Sequence, residues 1–164
     1  MNNFLRFLQF LALGTWIGAI IFLSFVEAPG VFGILPNLDQ AGSVVGYSLT
    51  RLHYIGIAAA VVYIAAGFGI TWRPNWPAAP AAILVFVMLA LTLISEFGVR
   101  SRMNSLRSQM VSIQATPVEN PLRLQFDRLH RASVGLEGAT LLLGIAALFL
   151  TVRRAGYELA MEFR

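Results

Sequence analysis

Four long stretches of the chain consist almost entirely of apolar residues, and polar connections separate them. Each stretch is close to the roughly 20 residues that an α-helix needs to cross the hydrocarbon core of a bilayer. The pattern predicts an all-α integral membrane four-helix bundle, folded as a single domain over residues 1–164. The predicted spans cover approximately residues 7–26, 54–72, 78–95 and 132–152.

Four spans that alternate in direction place both termini on one side of the membrane and the two longer connections on the other. We call these the terminal side and the loop side. After the third span, apolar residues recur at helical spacing opposite several arginines, which predicts an interfacial amphipathic extension. Its apolar positions are Met103, Leu106, Met110 and Ile113. Asn37 or Asp39 can cap the second helix, and Asn120 the fourth.

The composition excludes an ordinary water-soluble domain, because only 12% of the residues are charged and 57% are hydrophobic. Soluble domains carry about 25% charged residues. The net charge of +4 does not predict nucleic acid as a partner, since arginines beside apolar spans set topology or contact lipid headgroups. The expected partner is a lipid bilayer, with a bacterial inner or cytoplasmic membrane as the predicted location. The absence of cysteine excludes disulfides and thiolate metal sites.

The candidate functional residues, which are ionisable, are predicted to lie on the loop side. The tripeptide Arg-Leu-His occurs at residues 51–53 and 128–130, in each case just before or within the start of an apolar run. Since the second and fourth spans run in the same direction, both histidines are expected near one membrane face. Carboxylates end the first and third spans, and Glu137 lies two helical turns beyond His130. The predicted polar layer comprises His53, His130, Glu137, Arg51, Arg128, Glu27, Glu96 and Asp127.

Three interpretations of this layer stay open. In the first, Arg51, Arg128 and Arg131 neutralise the carboxylates and lock the helix ends together, because one guanidinium can hold two carboxylates. In the second, a histidine that titrates near neutrality and the deep Glu137 form a path for a solute or ion. In the third, His53 and His130 ligate a haem iron between them, or one of them binds a chlorophyll magnesium.

The protein is therefore predicted to be a small non-enzymatic membrane protein, with translocation of a solute or ion as its candidate activity. The alternative is an accessory subunit of a larger membrane electron-transfer or photosynthetic complex, which binds haem, chlorophyll or lipid beside other membrane subunits. No phosphate-binding glycine loop and no activated nucleophile supports an enzyme. The motifs Gly14-x-x-x-Gly18 and Gly42-x-x-x-Gly46 predict close packing of helices within the bundle.

Three sequence segments resemble a known family. They are Leu13-Gly14-Thr15-Trp16-Ile17-Gly18, Val26-Glu27-Ala28-Pro29-Gly30-Val31-Phe32 and Phe126-Asp127-Arg128-Leu129-His130-Arg131-Ala132-Ser133. Together they resemble the transmembrane-protein-205-like family, a set of small four-helix membrane proteins catalogued as a domain of unknown function. The resemblance spans roughly residues 8–150. It implies a four-span bundle and draws attention to His130, and it implies no established activity.

Overall fold

The computed structural model describes residues 2–71 and 79–162, with side chains for residues 3–70 and 79–156. The described residues are 89% helical and contain no strand. Two of the helical segments among them are π-helices, Leu23–Glu27 and Ile94–Arg100. The α-helices are α1 (Asn2–Phe22), α2 (Ala28–Ile34), α3 (Leu38–Thr71), α4 (Pro80–Leu93), α5 (Ser101–Ser108) and α6 (Pro121–Glu162).

Four helical segments in the described residues are long and apolar enough to cross a membrane: Asn3–Ile34, Leu38–Ile70, Pro80–Ser108 and Pro121–Gly156. This confirms the predicted all-α bundle of four spans in a multi-pass membrane protein. The helices are longer than the predicted spans because their backbones stay helical through the polar residues at the ends. The predicted boundaries at Trp72 and Ala78 lie outside the described residues.

The four long segments form a bundle in which neighbours run antiparallel. Both α3 and α6 pack against α1 and against α4, so that α3 and α6 face each other across the diagonal. The core contains large side chains such as Leu13, Trp16, Ile20 and Met88, none of which is more than 1% exposed. Large apolar side chains such as Phe149 lie exposed on the outside, where a bilayer would solvate them.

The first membrane-spanning segment continues beyond its predicted end at residue 26 and includes Pro29. The chain passes from α1 through the first π-helix into α2, and Pro29 occupies the first turn of α2. Because backbone hydrogen bonding continues to this point, with the Ala28 N–H bonded to the Leu23 carbonyl, Pro29 removes one donor from a continuous helical segment. The second π-helix joins α4 to α5 and contains Glu96 and Arg100. Such π-segments are frequent at functional sites.

Side-chain caps fix the starts of α3 and α6. The Asn37 side-chain oxygen accepts hydrogen bonds from the backbone N–H groups of Asp39 at 2.9 Å and Gln40 at 3.1 Å. The Asn120 side chain accepts from the N–H of Leu122 at 2.9 Å. Both caps agree with the sequence analysis, and α3 therefore begins at Leu38.

The amphipathic extension is α5, which is shorter than predicted and ends at Ser108. The chain then turns back on the start of α3. There the Asp39 carboxylate accepts hydrogen bonds from the Ser112 hydroxyl and from the Ile113 N–H, the latter at 3.0 Å. Of the predicted apolar positions, Leu106 is buried. The loop side is thus closed by side-chain contacts between α3 and the segment after α5.

The first Gly-x-x-x-Gly motif does not pack helices together inside the bundle, whereas in the second a Cβ on Gly42 would lie 3.4 Å from the Nη2 atom of Arg107. Gly14 and Gly18 are exposed, and an added Cβ would meet nothing within 4 Å. Close helix contact occurs instead at Gly56, where a Cβ would lie 2.4 Å from the Trp16 Nε1 atom. The four-residue spacing places small residues on one face of a helix, but it does not determine which neighbouring helix, if any, packs against that face.

Candidate functional site

The site is a triad of side chains in which a buried histidine bridges two glutamates. The His53 Nδ1 atom lies 2.6 Å from Glu96 Oε2, and its Nε2 atom lies 2.6 Å from Glu137 Oε1. The imidazole is 0% exposed, and the two carboxylate side chains are 9% and 13% exposed. His53 comes from α3, Glu96 from the second π-helix and Glu137 from α6. The triad therefore joins three of the four membrane-spanning segments.

The helix arrangement explains why these three groups meet. His53 lies on the buried face of α3, with Gly56 and Ala60 on the same face in the following turns. Glu137 lies on α6 between the buried Ser133 and Thr140, a spacing that directs it inward. Because α3 and α6 are diagonal partners, the contact between His53 and Glu137 crosses the axis of the bundle.

Each of the two short N···O contacts requires a hydrogen between its atoms. A neutral imidazole has one N–H donor and one acceptor nitrogen, and an ionised carboxylate has no hydrogen to donate. The triad must therefore hold two hydrogens, as an imidazolium between two carboxylates or as a neutral imidazole beside one carboxylic acid. In either form its net charge is −1.

Arg100 supplies the compensating positive charge. Its Nε atom lies 3.6 Å from Glu96 Oε1, four residues earlier in the same helical segment, and its Nη1 donates a hydrogen bond to the Gly46 carbonyl. The triad and Arg100 together are thus neutral, which lowers the cost of burying charged groups in an apolar bundle.

This arrangement can relay a proton across the bundle. If Nδ1 receives a proton from the Glu96 side while Nε2 gives one to Glu137, the imidazole changes tautomer and the total charge is conserved. Two buried polar atoms of neighbouring residues have no hydrogen-bond partner: Ser95 Oγ, directly before Glu96, and Trp16 Nε1, which lies against Gly56. Buried groups of this kind are usually satisfied by a partner such as water.

The predicted polar layer separates in the structure into a buried part and an exposed part. His53, Glu96 and Glu137 come together, whereas the remaining candidates stay outside the triad. His130, Arg51 and Arg128 are exposed, and Glu27 and Asp127 are half-buried. Arg51 stacks on the ring of Tyr47, with its guanidinium carbon 4.9 Å from the ring centroid.

The predicted pairing of carboxylates with Arg51, Arg128 and Arg131 is therefore corrected. Within the described side chains, the arginine–carboxylate pairs join Arg100 to Glu96 and Arg123 to Asp127, the latter at 3.1 Å. Both are local pairs four residues apart on one helix, a spacing at which side chains meet. That spacing was visible in the sequence for Arg100 and Glu96, whereas Asp127 has an arginine four residues away on either side, Arg123 and Arg131.

The predicted haem site between His53 and His130 is also corrected. Both ring nitrogens of His53 are engaged by carboxylates, so neither is left for iron. His53 reaches Glu137, which lies seven residues beyond His130 and hence about 10 Å further along α6. The two carboxylates approach opposite edges of the imidazole, so they do not converge on one ion. No cluster of three metal-ligating side chains occurs among the described residues.

The sequence model of a protein family, described as Domain of unknown function (DUF4149), matches residues 11–112, which is more than half of the chain. The protein belongs to this family. Of the triad, the DUF4149 region contains His53 and Glu96, and it also contains Arg100. Glu137 lies beyond the matched residues, in α6. No curated protein and no solved structure matches the chain.

Proposed function

We propose that this DUF4149 protein is a non-enzymatic translocator that moves protons, alone or together with a small solute, through the membrane. The observation that carries the proposal is the buried imidazole of His53, held between Glu96 and Glu137 on the axis of a membrane-spanning bundle. Ionisable groups inside a membrane are costly, and they commonly mark ion pathways and proton relays.

The proton content of the triad supports a relay more than a purely structural lock. A contact that only holds helix ends together needs a hydrogen-bond donor for each carboxylate. An arginine provides such donors and stays protonated throughout. Here the bridging group is a histidine, whose two nitrogens can exchange roles. The unpartnered Ser95 Oγ and Trp16 Nε1 atoms are places where a water or a polar solute can bind close to the relay.

The experiment is a flux measurement with purified protein in proteoliposomes that enclose a pH-sensitive dye. An imposed pH gradient should dissipate faster with the wild-type protein than in empty vesicles. The Glu137→Gln variant keeps the shape of the side chain but cannot accept and release the proton, and its flux should fall at least tenfold. Glu119→Gln is the matched control, because Glu119 is exposed in the connection before α6, and its flux should equal that of the wild type.

Two results would contradict the proposal in different ways. Wild-type vesicles that dissipate the gradient no faster than empty ones, with or without candidate solutes, would exclude translocation of protons. A wild-type flux that Glu137→Gln leaves unchanged would exclude the triad as the path. Retention of the folded, monodisperse protein by the variant, measured by gel filtration, separates loss of the path from loss of the fold.

The accessory-subunit alternative has one observation in its favour. His130 is exposed on α6 and has no hydrogen-bond partner among the described side chains, so a single pigment or haem could bind it from outside the bundle. Purified protein with an absorption band of haem or chlorophyll, lost in His130→Ala, would favour this function. A colourless preparation without stoichiometric partners in mild detergent would exclude it.

The narrower classification and location are part of the same proposal. The three segments that resemble the transmembrane-protein-205-like family support a placement within that group. The abundance of arginine on the loop side supports a cytoplasmic loop side in a bacterial inner membrane, since positive residues favour the cytoplasm. Accessibility of introduced cysteines to a membrane-impermeant reagent tests this orientation cleanly, because the chain contains no cysteine of its own.

A further inference from the structure

A second polar site lies at the opposite end of the bundle. A cavity of about 30 Å³ lies on the terminal side, among the start of α1, the end of α3, the start of α4 and the end of α6. Its polar lining consists of Arg6, Gln9, Tyr63, Thr151 and Arg154. Tyr63 lies ten residues beyond His53, so the cavity is about 15 Å from the triad along α3.

We propose that this cavity binds an oxyanion, namely a carboxylate or the oxygens of a phosphate. The proposal does not depend on translocation through the triad. Two arginines from different helices, Arg6 on α1 and Arg154 on α6, line the same small space. Arginine is the side chain best suited to this task, because its planar fork of N–H groups matches the geometry of carboxylate and phosphate oxygens.

The neighbouring buried groups orient the site. Thr151 donates a hydrogen bond to the Ala147 carbonyl at 2.7 Å, so the contact of 2.9 Å between Thr151 and Tyr63 uses the Tyr63 hydroxyl hydrogen. The Gln9 amide nitrogen donates to the Tyr63 backbone carbonyl at 3.4 Å. That amide carries two hydrogens, and the second can serve an occupant of the cavity. A guanidinium carries five N–H donors and can hold an oxyanion together with another acceptor.

The size and the level of the cavity limit the occupant. One water needs roughly 10–15 Å³ of such volume, so about 30 Å³ admits a group of about two waters, such as a carboxylate or the outer oxygens of a phosphate. Arg6 directly precedes the first predicted span, and Arg154 follows the fourth by two residues. Both arginines lie near the terminal-side ends of their membrane-spanning segments, Asn3–Ile34 and Pro121–Gly156, where we expect lipid headgroups, so the phosphate can come from a lipid or from solution.

The test uses the full-length protein in detergent and follows its melting temperature with two probes, inorganic phosphate and phosphatidylglycerol. Either probe should raise the melting temperature of the wild-type protein in a saturable manner. The double variant Arg6→Gln/Arg154→Gln should bind at least tenfold more weakly. Arg153→Gln is the matched control, since Arg153 is the exposed neighbour of Arg154 on the same helix, and its response should be unchanged.

A second variant keeps the test decisive if the double variant folds poorly. Gln9→Glu has nearly the same shape and adds a negative charge to the cavity that Gln9 lines together with both arginines, so it should abolish the response to the probes while the protein stays folded. Stabilisation by inorganic phosphate would assign a free oxyanion, and stabilisation by phosphatidylglycerol alone would assign a lipid headgroup. No saturable response to either probe, or a response that survives both variants, would overturn the proposal.

Discussion

Replacing His53 by leucine should destabilise the bundle more than replacing both His53 and Glu137. The single variant His53→Leu leaves two largely buried carboxylates, 9% and 13% exposed, with Arg100 as the nearby cation. Removing one partner from a buried charged pair costs about 3–5 kcal/mol. Since 1 kcal/mol shifts the melting temperature of a protein of this size by about 2–4 °C, we expect a decrease on the order of 10 °C.

The double variant His53→Leu/Glu137→Leu removes the imidazole together with the Glu137 carboxylate, which would otherwise have no partner. It leaves Glu96 with Arg100, whose atoms are 3.6 Å apart, and it fills the space with apolar side chains. We therefore expect the double variant to melt above His53→Leu, because replacing buried charged groups by hydrophobic ones of similar volume is often neutral or stabilising.

The assay is thermal unfolding in detergent, followed by tryptophan fluorescence and by the amount of monodisperse protein after heating. His130→Leu is the matched control, because His130 is exposed and surface substitutions usually change stability by less than about 0.5 kcal/mol. The reasoning is wrong if His53→Leu melts like His130→Leu. It is also wrong if the stability losses of His53→Leu and of Glu137→Leu alone simply add in the double variant, because His53 and Glu137 are then not coupled.

Two further predictions concern packing and the loop side. Gly56→Ala places a methyl group 2.4 Å from the Trp16 Nε1 atom, and we expect it to lower the free energy of unfolding by about 1–3 kcal/mol. Gly135 has open space around it, so Gly135→Ala should not lower stability in the same thermal assay. Asp39→Asn weakens the hydrogen bonds that hold the segment after α5 against α3. A glutamate-specific protease should therefore cleave the variant faster at the exposed Glu119. An unchanged cleavage rate would show that the Asp39 carboxylate does not hold the segment.

The four spans could be predicted because the length of an apolar run reports directly on the thickness of a bilayer. The ends of the helices could not, since backbone hydrogen bonding continues through polar residues once a helix is stabilised by its neighbours. For this reason α3 begins at Leu38, well before its predicted apolar span.

The members of the triad were all in the predicted polar layer, but their partners were not predictable from composition alone. Arg51 precedes His53 by two residues, which is about 200° around a helix of 3.6 residues per turn, so it points away from the buried imidazole and is exposed. The diagonal contact to Glu137 depends on the order of helices around the bundle axis, which apolar spacing does not encode. Charge complementarity favoured arginine as the bridge, whereas the structure uses histidine.

Nitrogen NMR of the imidazole rings in lipid bilayers tests the bridged His53 most directly, because the chain contains only two histidines. His130, which is exposed, serves as the internal reference. We predict that both ring nitrogens of His53 show hydrogen bonds to carboxylates, and that Glu96→Gln perturbs Nδ1 while Glu137→Gln perturbs Nε2. Ring nitrogens of His53 that show no hydrogen bond to a carboxylate, or that neither substitution perturbs, would contradict the account.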